Sequence, residues 1–220
     1  MENRSLVRKL AAEAAKSGNP LSWFEILYRK ANEENLAIPW DDNAPNPNLV
    51  EFCQSKSIKG RGRIALKIGC GFGHDADYLQ TLGFKVTGFD LAPSAIASAR
   101  VKFPDSKVNY FQEDLFNLPN ESIRSHDFVL ESYLLQEIPK DIRQKAVPVI
   151  ASLVKTGGEL LVITRGRDGG DSEGKLPFHL TKPEMLRFKE FGLKLIQFED
   201  YFDHEEPPLR RFRAYFRKEV

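Results

Sequence analysis

The sequence predicts a doubly wound α/β fold of about seven strands, mostly parallel with an antiparallel C-terminal strand, and with N-terminal helices covering its site. Three observations predict it. From Ile64 onward, apolar strand-like runs alternate with helical stretches, the pattern that right-handed crossovers turn into a parallel sheet covered on both faces. A glycine loop over 69–75 joins the first of those runs to the helix behind it. Two acids, Asp90 and Asp114, close the next two runs. With 220 residues, 41% of them hydrophobic, the chain is long enough for one well-buried core and short for two. A single domain is therefore expected, with residues 1–60 as a helical and loop cover and 61–220 as the ligand-binding core.

Ahead of the core, Leu6, Val7, Leu10, Ala11 and Ala14 recur at helical spacing until Gly18, Asn19 and Pro20 end the helix. A second helix opens at Ser22 with Glu25 three residues on, the reciprocal capping arrangement, and sets Trp23, Ile26 and Leu27 on one face. The prolines of 38–47 exclude a regular helix, so this stretch is a shaped loop. Strands follow over 64–68, 84–89, 108–112 and 127–131, with helices after the first, the second and the fourth. The last of these helices spans about 140–155 with a kink at Pro148, and Gly157 and Gly158 release the chain into a strand over 159–164. The Gly- and Asp-rich segment 168–174 is a solvated loop and a candidate lid. Thr181 and Glu184 cap a late helix, and 193–198 and 212–216 are strands joined through Pro207 and Pro208.

The glycine loop points to a nucleotide-like ligand. Without a Cβ at Gly69, Gly71 and Gly73, the backbone turns sharply and bares amide groups beside the positive end of a helix. The dinucleotide fingerprint G-x-G-x-x-G would put its last glycine where this chain has His74, and the spacing here is the looser G-x-G-x-G. Asp90 lies about 20 residues on, at the strand tip where an acid bonds ribose hydroxyls. Loop, Asp90 and the Asp114–Leu115 pair together resemble the cofactor motifs of the class I S-adenosylmethionine-dependent methyltransferases. That resemblance implies a Rossmann-like fold, with S-adenosyl-L-methionine as cofactor and S-adenosyl-L-homocysteine as product. It implies that Gly69, Cys70, Gly71, Gly73, Asp90 and Leu91 bind the cofactor, that Asp114 accepts a hydrogen bond from its adenine amino group and that Leu115 packs on the ring. One departure is Lys67, which stands where many class I enzymes carry an acid.

Further residues extend the likeness. Trp23, the Pro39–Trp40–Asp41 loop, the run from Glu131, Ser132 and Tyr133 through Gln136 to Pro139, and Pro177, Phe178, His179 and Leu180 resemble the thiopurine methyltransferase family, which includes halide and thiol methyltransferases. The likeness spans about 20–216. It implies methyl transfer to a small molecule, foremost a thiol, thiopurine or halide, with Trp23, Trp40 and Glu131 at the cofactor and Tyr133 and Gln136 orienting the acceptor. Transfer from a sulfonium is an in-line displacement that needs alignment and a dry site more than a strong acid or base. Aromatic faces stabilise the sulfonium by roughly 0.5 to 2 kcal/mol per contact, which suits the two tryptophans. A thiol, with a reference pKa of about 8.5, already supplies some thiolate at neutral pH, and a halide is always charged. Nucleobase amino-methyltransferases often carry Asn or Asp, Pro, Pro and an aromatic residue after the fourth strand, where this chain has Glu131, Ser132, Tyr133 and Leu134. A small soft nucleophile is favoured; O- or N-methylation of another metabolite or macromolecule, and cofactor binding without catalysis, stay open.

Composition narrows the partners. A net charge of +1 creates no field to gather phosphates, so no obligatory nucleic acid is expected. Arg210, Arg211 and Arg213 are read as a charged strand face. His126, His179 and His204 are scattered without metal-ligand spacing, so no metal is expected. The only cysteines are Cys53 and Cys70, the latter within the glycine loop, which predicts reduced thiols in the cytoplasm. No run nears the roughly 18 apolar residues of a membrane span, and the charged N-terminus lacks a following signal-like stretch. A monomer acting on a small-molecule acceptor is the expectation.

Overall fold

The structure, a computed structural model, describes residues 2–219. Its strands are β1 (Ile64–Ile68), β2 (Lys85–Asp90), β3 (Asn109–Gln112), β4 (His126–Ser132), β5 (Val154–Arg167), β6 (Leu180–Thr181), β7 (Leu193–Phe202) and β8 (Arg210–Lys218). Seven follow the order β3-β2-β1-β4-β5-β8-β7, and the two-residue β6, too short for any periodic signal, pairs with β5. Strands β1 to β5 are parallel to one another, and β8 runs antiparallel to both β5 and β7. The chain steps outward from β1 to β3 and then returns to the other side of β1 with β4, so the strand order reverses there. Connections diverge at such a switch point and leave a crevice beyond the carboxyl ends of the strands.

Helices α1 (Glu2–Lys16), α2 (Trp23–Glu34), α3 (Pro47–Ser55), α4 (His74–Thr81), α5 (Pro93–Lys102), α6 (Lys140–Leu153) and α7 (Lys182–Leu186) complete the fold. Alternation along β4 divides the core: Val129 packs with Trp23, Leu27 and Ile150 on one face, while Phe128 and Leu130 pack with Phe52, Leu79 and Phe84 on the other. The apolar stripe of α1 is realised, with Val7, Leu10 and Ala14 buried.

Three local expectations are corrected. Ser22 makes no side-chain cap: its hydroxyl donates to Asn19 O at 2.9 Å, and the Glu25 carboxylate instead accepts from Ser94 N at 3.0 Å and Ser94 Oγ at 2.6 Å. A tertiary clamp between α2 and α5 has replaced the local box. The end of the proline-rich loop starts α3, with Pro47 in the first turn and the Asn46 side chain accepting from Asn48 N, the arrangement in which proline favours a helix. Gly157 and Gly158 do not precede a strand but lie inside β5, which begins at Val154. A Cβ on Gly158 would come 2.8 Å from His126 O, beside the register shift between His126 and Phe128, so these glycines form a bulge. By contrast the Thr181–Glu184 capping box forms as expected.

Candidate active site

The glycine loop leaves β1 at the switch point and turns through positive φ at Gly69 (58°), Gly71 (53°) and Gly73 (92°) before entering α4. A side chain is strained at each, and a Cβ on Gly71 would come 2.9 Å from the Tyr28 hydroxyl. Asp90, at the tip of β2, fastens this loop: its carboxylate accepts from Gly71 N at 2.9 Å and from Ala92 N at 3.0 Å. Burial pushes the Asp90 carboxyl up, against the pull of those amides and of Lys67. The Lys67 ammonium is buried beneath the loop, donating to the carbonyls of Ile68 (2.9 Å), Gly69 (3.0 Å) and Ser132 (3.4 Å). It ties β1 to β4, where an acid would have been repelled by those carbonyls.

A cleft opens over the loop. Asp90, Leu91, Asp114, Leu115 and Phe116 line one end, and Trp40, Tyr28, Tyr133, Leu134, Glu137 and Ile138 line the other part of its wall. Asp114 caps the turn Leu115–Asn117 by accepting from Phe116 N at 2.9 Å, which leaves its second carboxylate oxygen for a ligand. Trp40 is held by its indole donating to Tyr28 Oη at 3.2 Å. Tyr133 sits at φ 67°, an uncommon conformation for a side-chain-bearing residue. Its hydroxyl accepts from Asn48 Nδ2 at 3.0 Å, and the Arg211 guanidinium stands over its ring at 4.7 Å. Burial pushes the Tyr133 hydroxyl up to about 12 in spite of Arg211, so it works here as a neutral hydrogen-bonding group.

Charge in the cleft is mostly negative: Asp41, Asp42, Asp75, Asp90, Glu113, Asp114 and Glu137 line it, against Lys67 and His74. Such a lining favours a cationic ligand over a polyanion. Together with a glycine loop that lets a ligand lie against backbone, it fits the sulfonium-bearing cofactor that the motifs imply. The bare amides that the sequence predicts are not found: those of Cys70, Gly71 and Gly73 donate to Phe89 O, Asp90 and Cys70 O.

Comparison with known proteins decides the family. Residues 30–213 match the family described as Thiopurine S-methyltransferase (TPMT). The chain belongs to this family, a family of S-adenosylmethionine-dependent methyltransferase enzymes. A thiopurine S-methyltransferase of Aliivibrio fischeri (strain MJ11) is 25% identical over 80% of this chain and 87% of its own length. A ubiquinone biosynthesis O-methyltransferase of Xanthomonas axonopodis pv. citri is 30% identical over 58% of this chain, and the match spans 56% of that relative. Among solved structures, the Burkholderia thailandensis 1,6-didemethyltoxoflavin-N1-methyltransferase, with 1,6-didemethyltoxoflavin and S-adenosylhomocysteine bound, superposes with a TM-score of 0.67 at 17% identity over 100% of this chain and 90% of its own. That likeness extends to the Rossmann-like fold.

Within this member of the thiopurine S-methyltransferase family, the structure brings Trp40, Gly69, Cys70, Gly71, Gly73, Asp90, Leu91, Asp114, Leu115 and Tyr133 around one cleft. Three expected site residues stand elsewhere. Trp23 is fully buried in the core, stacked on Phe24 at 3.9 Å, and reaches Trp40 only edge-on. Gln136 is buried with its amide oxygen accepting from Arg165 N at 2.7 Å, which supports β5 rather than the cleft wall. Glu131 is fully buried at the end of β4, accepting from Leu135 N at 2.9 Å while its Oε2 has no partner; burial raises it to about 7. The sequence reading missed Tyr28 and Glu137, and named Asp41 only within the Pro39–Trp40–Asp41 loop without a role at the site. Burial pushes the Asp41 carboxyl up, but a hydrogen bond with His74 and the Lys102 charge outweigh it and hold it below the ordinary carboxylate value.

The four arginines of β8 form internal pairs: Arg210 with Asp200 and Asp168, Arg211 with Asp203 and Glu205, Arg213 with Glu199 and Glu51, and Arg217 with Glu159. The 168–174 loop is tethered through Asp168 to Arg210 and through Glu173 to Arg143. Both cysteines are free and buried. Among the described residues no His, Cys, Asp and Glu group has the arrangement of a metal site, and no helix is long and apolar enough to cross a membrane.

Proposed function

We propose that this chain transfers a methyl group from S-adenosylmethionine to a small, soft acceptor, foremost a thiol or thiopurine and then a halide. The observation that carries the reading is the junction of two unlike walls in one cleft: a glycine loop free of side chains at Gly69, Gly71 and Gly73 and fastened by Asp90 shares it with an aromatic wall of Trp40, Tyr28 and Tyr133. When bound, the cofactor supplies an electrophilic methyl on a sulfonium. The chain's part is to hold both reactants in line and dry: Gly69, Gly71 and Gly73 admit the cofactor against backbone, Asp90 and Asp114 offer acceptors to its hydroxyl and amino groups, and Trp40 offers a ring face to the positive sulfur. The acid-rich lining repels nucleic acid and favours a neutral acceptor over an anionic one.

Labelled methyl transfer tests this directly. The protein is incubated with methyl-labelled S-adenosylmethionine and an aliphatic thiol, a thiophenol, iodide, a phenol and RNA in parallel. Label is expected on the thiols, with less on iodide and none on RNA. Label on the phenol alone would replace S- by O-methylation. Saturable cofactor binding without label on any acceptor would overturn the catalytic reading.

A further inference from the structure

We propose that Glu137 is a catalytic residue that accepts the proton of the methyl acceptor, so that the acceptor is a protic molecule with an apolar body rather than a halide. This rests on the methyltransferase reading above and deepens it. Glu137 closes the short turn Leu135–Glu137 behind β4, where it is 4% exposed. The residue lines the cleft and also a second, mainly apolar cavity beneath α1, walled by Ala11, Trp23, Leu176 and Phe178, while its Oε2 is buried at the boundary. Glu137 is thus the acid at which the cofactor cleft and an apolar chamber meet.

Its oxygens are under-used. Oε1 receives only a long contact from Gln136 Nε2 at 3.4 Å, and Oε2 has no partner at all. Among the other acids of the cleft, Asp90 holds two amides, Asp114 caps its turn, Glu113 accepts from Asp114 N, Asp75 accepts from Asn46 N, and Asp41 faces His74 and Lys102. A buried carboxylate oxygen without a donor costs folding free energy, and an acceptor's S–H or O–H is the donor that would satisfy it. Glu131 also has an unpartnered oxygen but does not line the cleft.

Charged groups around Glu137 set its proton affinity. Burial raises it, Gln136, Arg4 of α1 and Arg165 of β5 lower it, and the balance stands at about 7, where a general base is most effective. Arg8 and Lys175 line the same apolar cavity. In the step itself, the acceptor's lone pair forms the new bond to the methyl carbon and the carbon–sulfonium bond breaks, leaving its electron pair on sulfur. The acceptor's proton passes to Glu137 Oε2 and from there to solvent after the product leaves.

The test is Glu137→Gln, which keeps the shape and still accepts at its amide oxygen. With an aliphatic thiol, wild-type kcat is expected to rise with pH and level off just above 7, as Glu137 becomes ionised. E137Q is expected to be about 100-fold slower at pH 7 and to climb tenfold per pH unit until the thiol itself ionises near 8.5. Transfer to iodide and cofactor affinity by calorimetry should stay within twofold of wild type. An E137Q profile that still levels off above 7, or an equal loss with iodide, overturns the proposal while leaving the methyltransferase reading intact; a wild type that labels no acceptor overturns that reading itself. A second readout needs no turnover: in carbon-13 carboxyl-labelled protein with S-adenosylhomocysteine bound, a glutamate resonance absent from E137Q should titrate near pH 7 and shift when thiol is added. An unmoved resonance speaks against contact between Glu137 and the acceptor and sinks the proposal.

Discussion

The two ends of the cleft are built in opposite ways. The end proposed for the cofactor is assembled from residues at the tips of three adjacent parallel strands: the loop after β1, Asp90 closing β2 and Asp114 after β3. The end proposed for the acceptor draws Trp40 from a proline loop, Tyr28 from α2, Tyr133 and Glu137 from the connection behind β4, and Asn46 from the cap of α3, with Asn48 holding the Tyr133 hydroxyl. Backbone geometry fixes the first end, so its chemistry depends on few side chains. Long-range side-chain contacts fix the second, so it is where members of one fold can differ in acceptor.

The sharpest way to break this contrast is Asp90→Ala. The change removes the acceptor for Gly71 N and Ala92 N and loosens the loop itself, so cofactor affinity measured by calorimetry should fall at least about 100-fold. An unchanged affinity would mean that the loop holds its shape without its carboxylate, and the backbone account of this end would fail.

Glu131, buried at the end of β4 outside the cleft lining, gives an intermediate effect that is read in stability. Its folded value of about 7 lies above the ordinary carboxylate value, so between roughly pH 4.5 and 7 the folded protein holds a proton that the unfolded chain has lost. Stability from this group is therefore full below pH 4.5 and is lost as pH rises through 7. Glu131→Gln, whose amide oxygen still accepts from Leu135 N, should stabilise the ligand-free protein by on the order of 2 kcal/mol at pH 8 and by nothing at pH 4. Urea unfolding at the two pH values measures the difference, and a pH-independent ΔΔG would show that burial does not shift the Glu131 carboxyl from its unfolded value.

The smallest effect belongs to Tyr133→Phe. Only the hydroxyl that accepts from Asn48 is lost, so kcat/KM should drop about fivefold with cofactor affinity unchanged. A matching loss in cofactor affinity would instead assign Tyr133 to the other end.

The same division governs how much was legible beforehand. Asp90, Asp114 and the glycines were readable because each is displayed at a fixed offset from an apolar run, and the positive φ values at Gly69, Gly71 and Gly73 are those that glycine permits. The Ser22–Glu25 pair had the same local grammar as Thr181–Glu184, yet only the latter forms a capping box, because Ser94 at the start of α5 competes successfully for Glu25. Trp23 and Trp40 looked equivalent as residue types. Packing sent one into the core and left the other on the cleft wall.

By itself the sequence determined the parallel α/β order, the glycine turn and the acids that face it, since strand periodicity and backbone permissiveness are properties of neighbouring residues. Only the tertiary structure decided that Lys67 serves as a tie beneath the loop, that the β8 arginines are spent on internal ion pairs and that Glu137 is left with an unpaired oxygen where two cavities meet. Those outcomes depend on which distant donors and acceptors arrive within about 3 Å of a buried charge, and spacing along the chain carries no record of that distance.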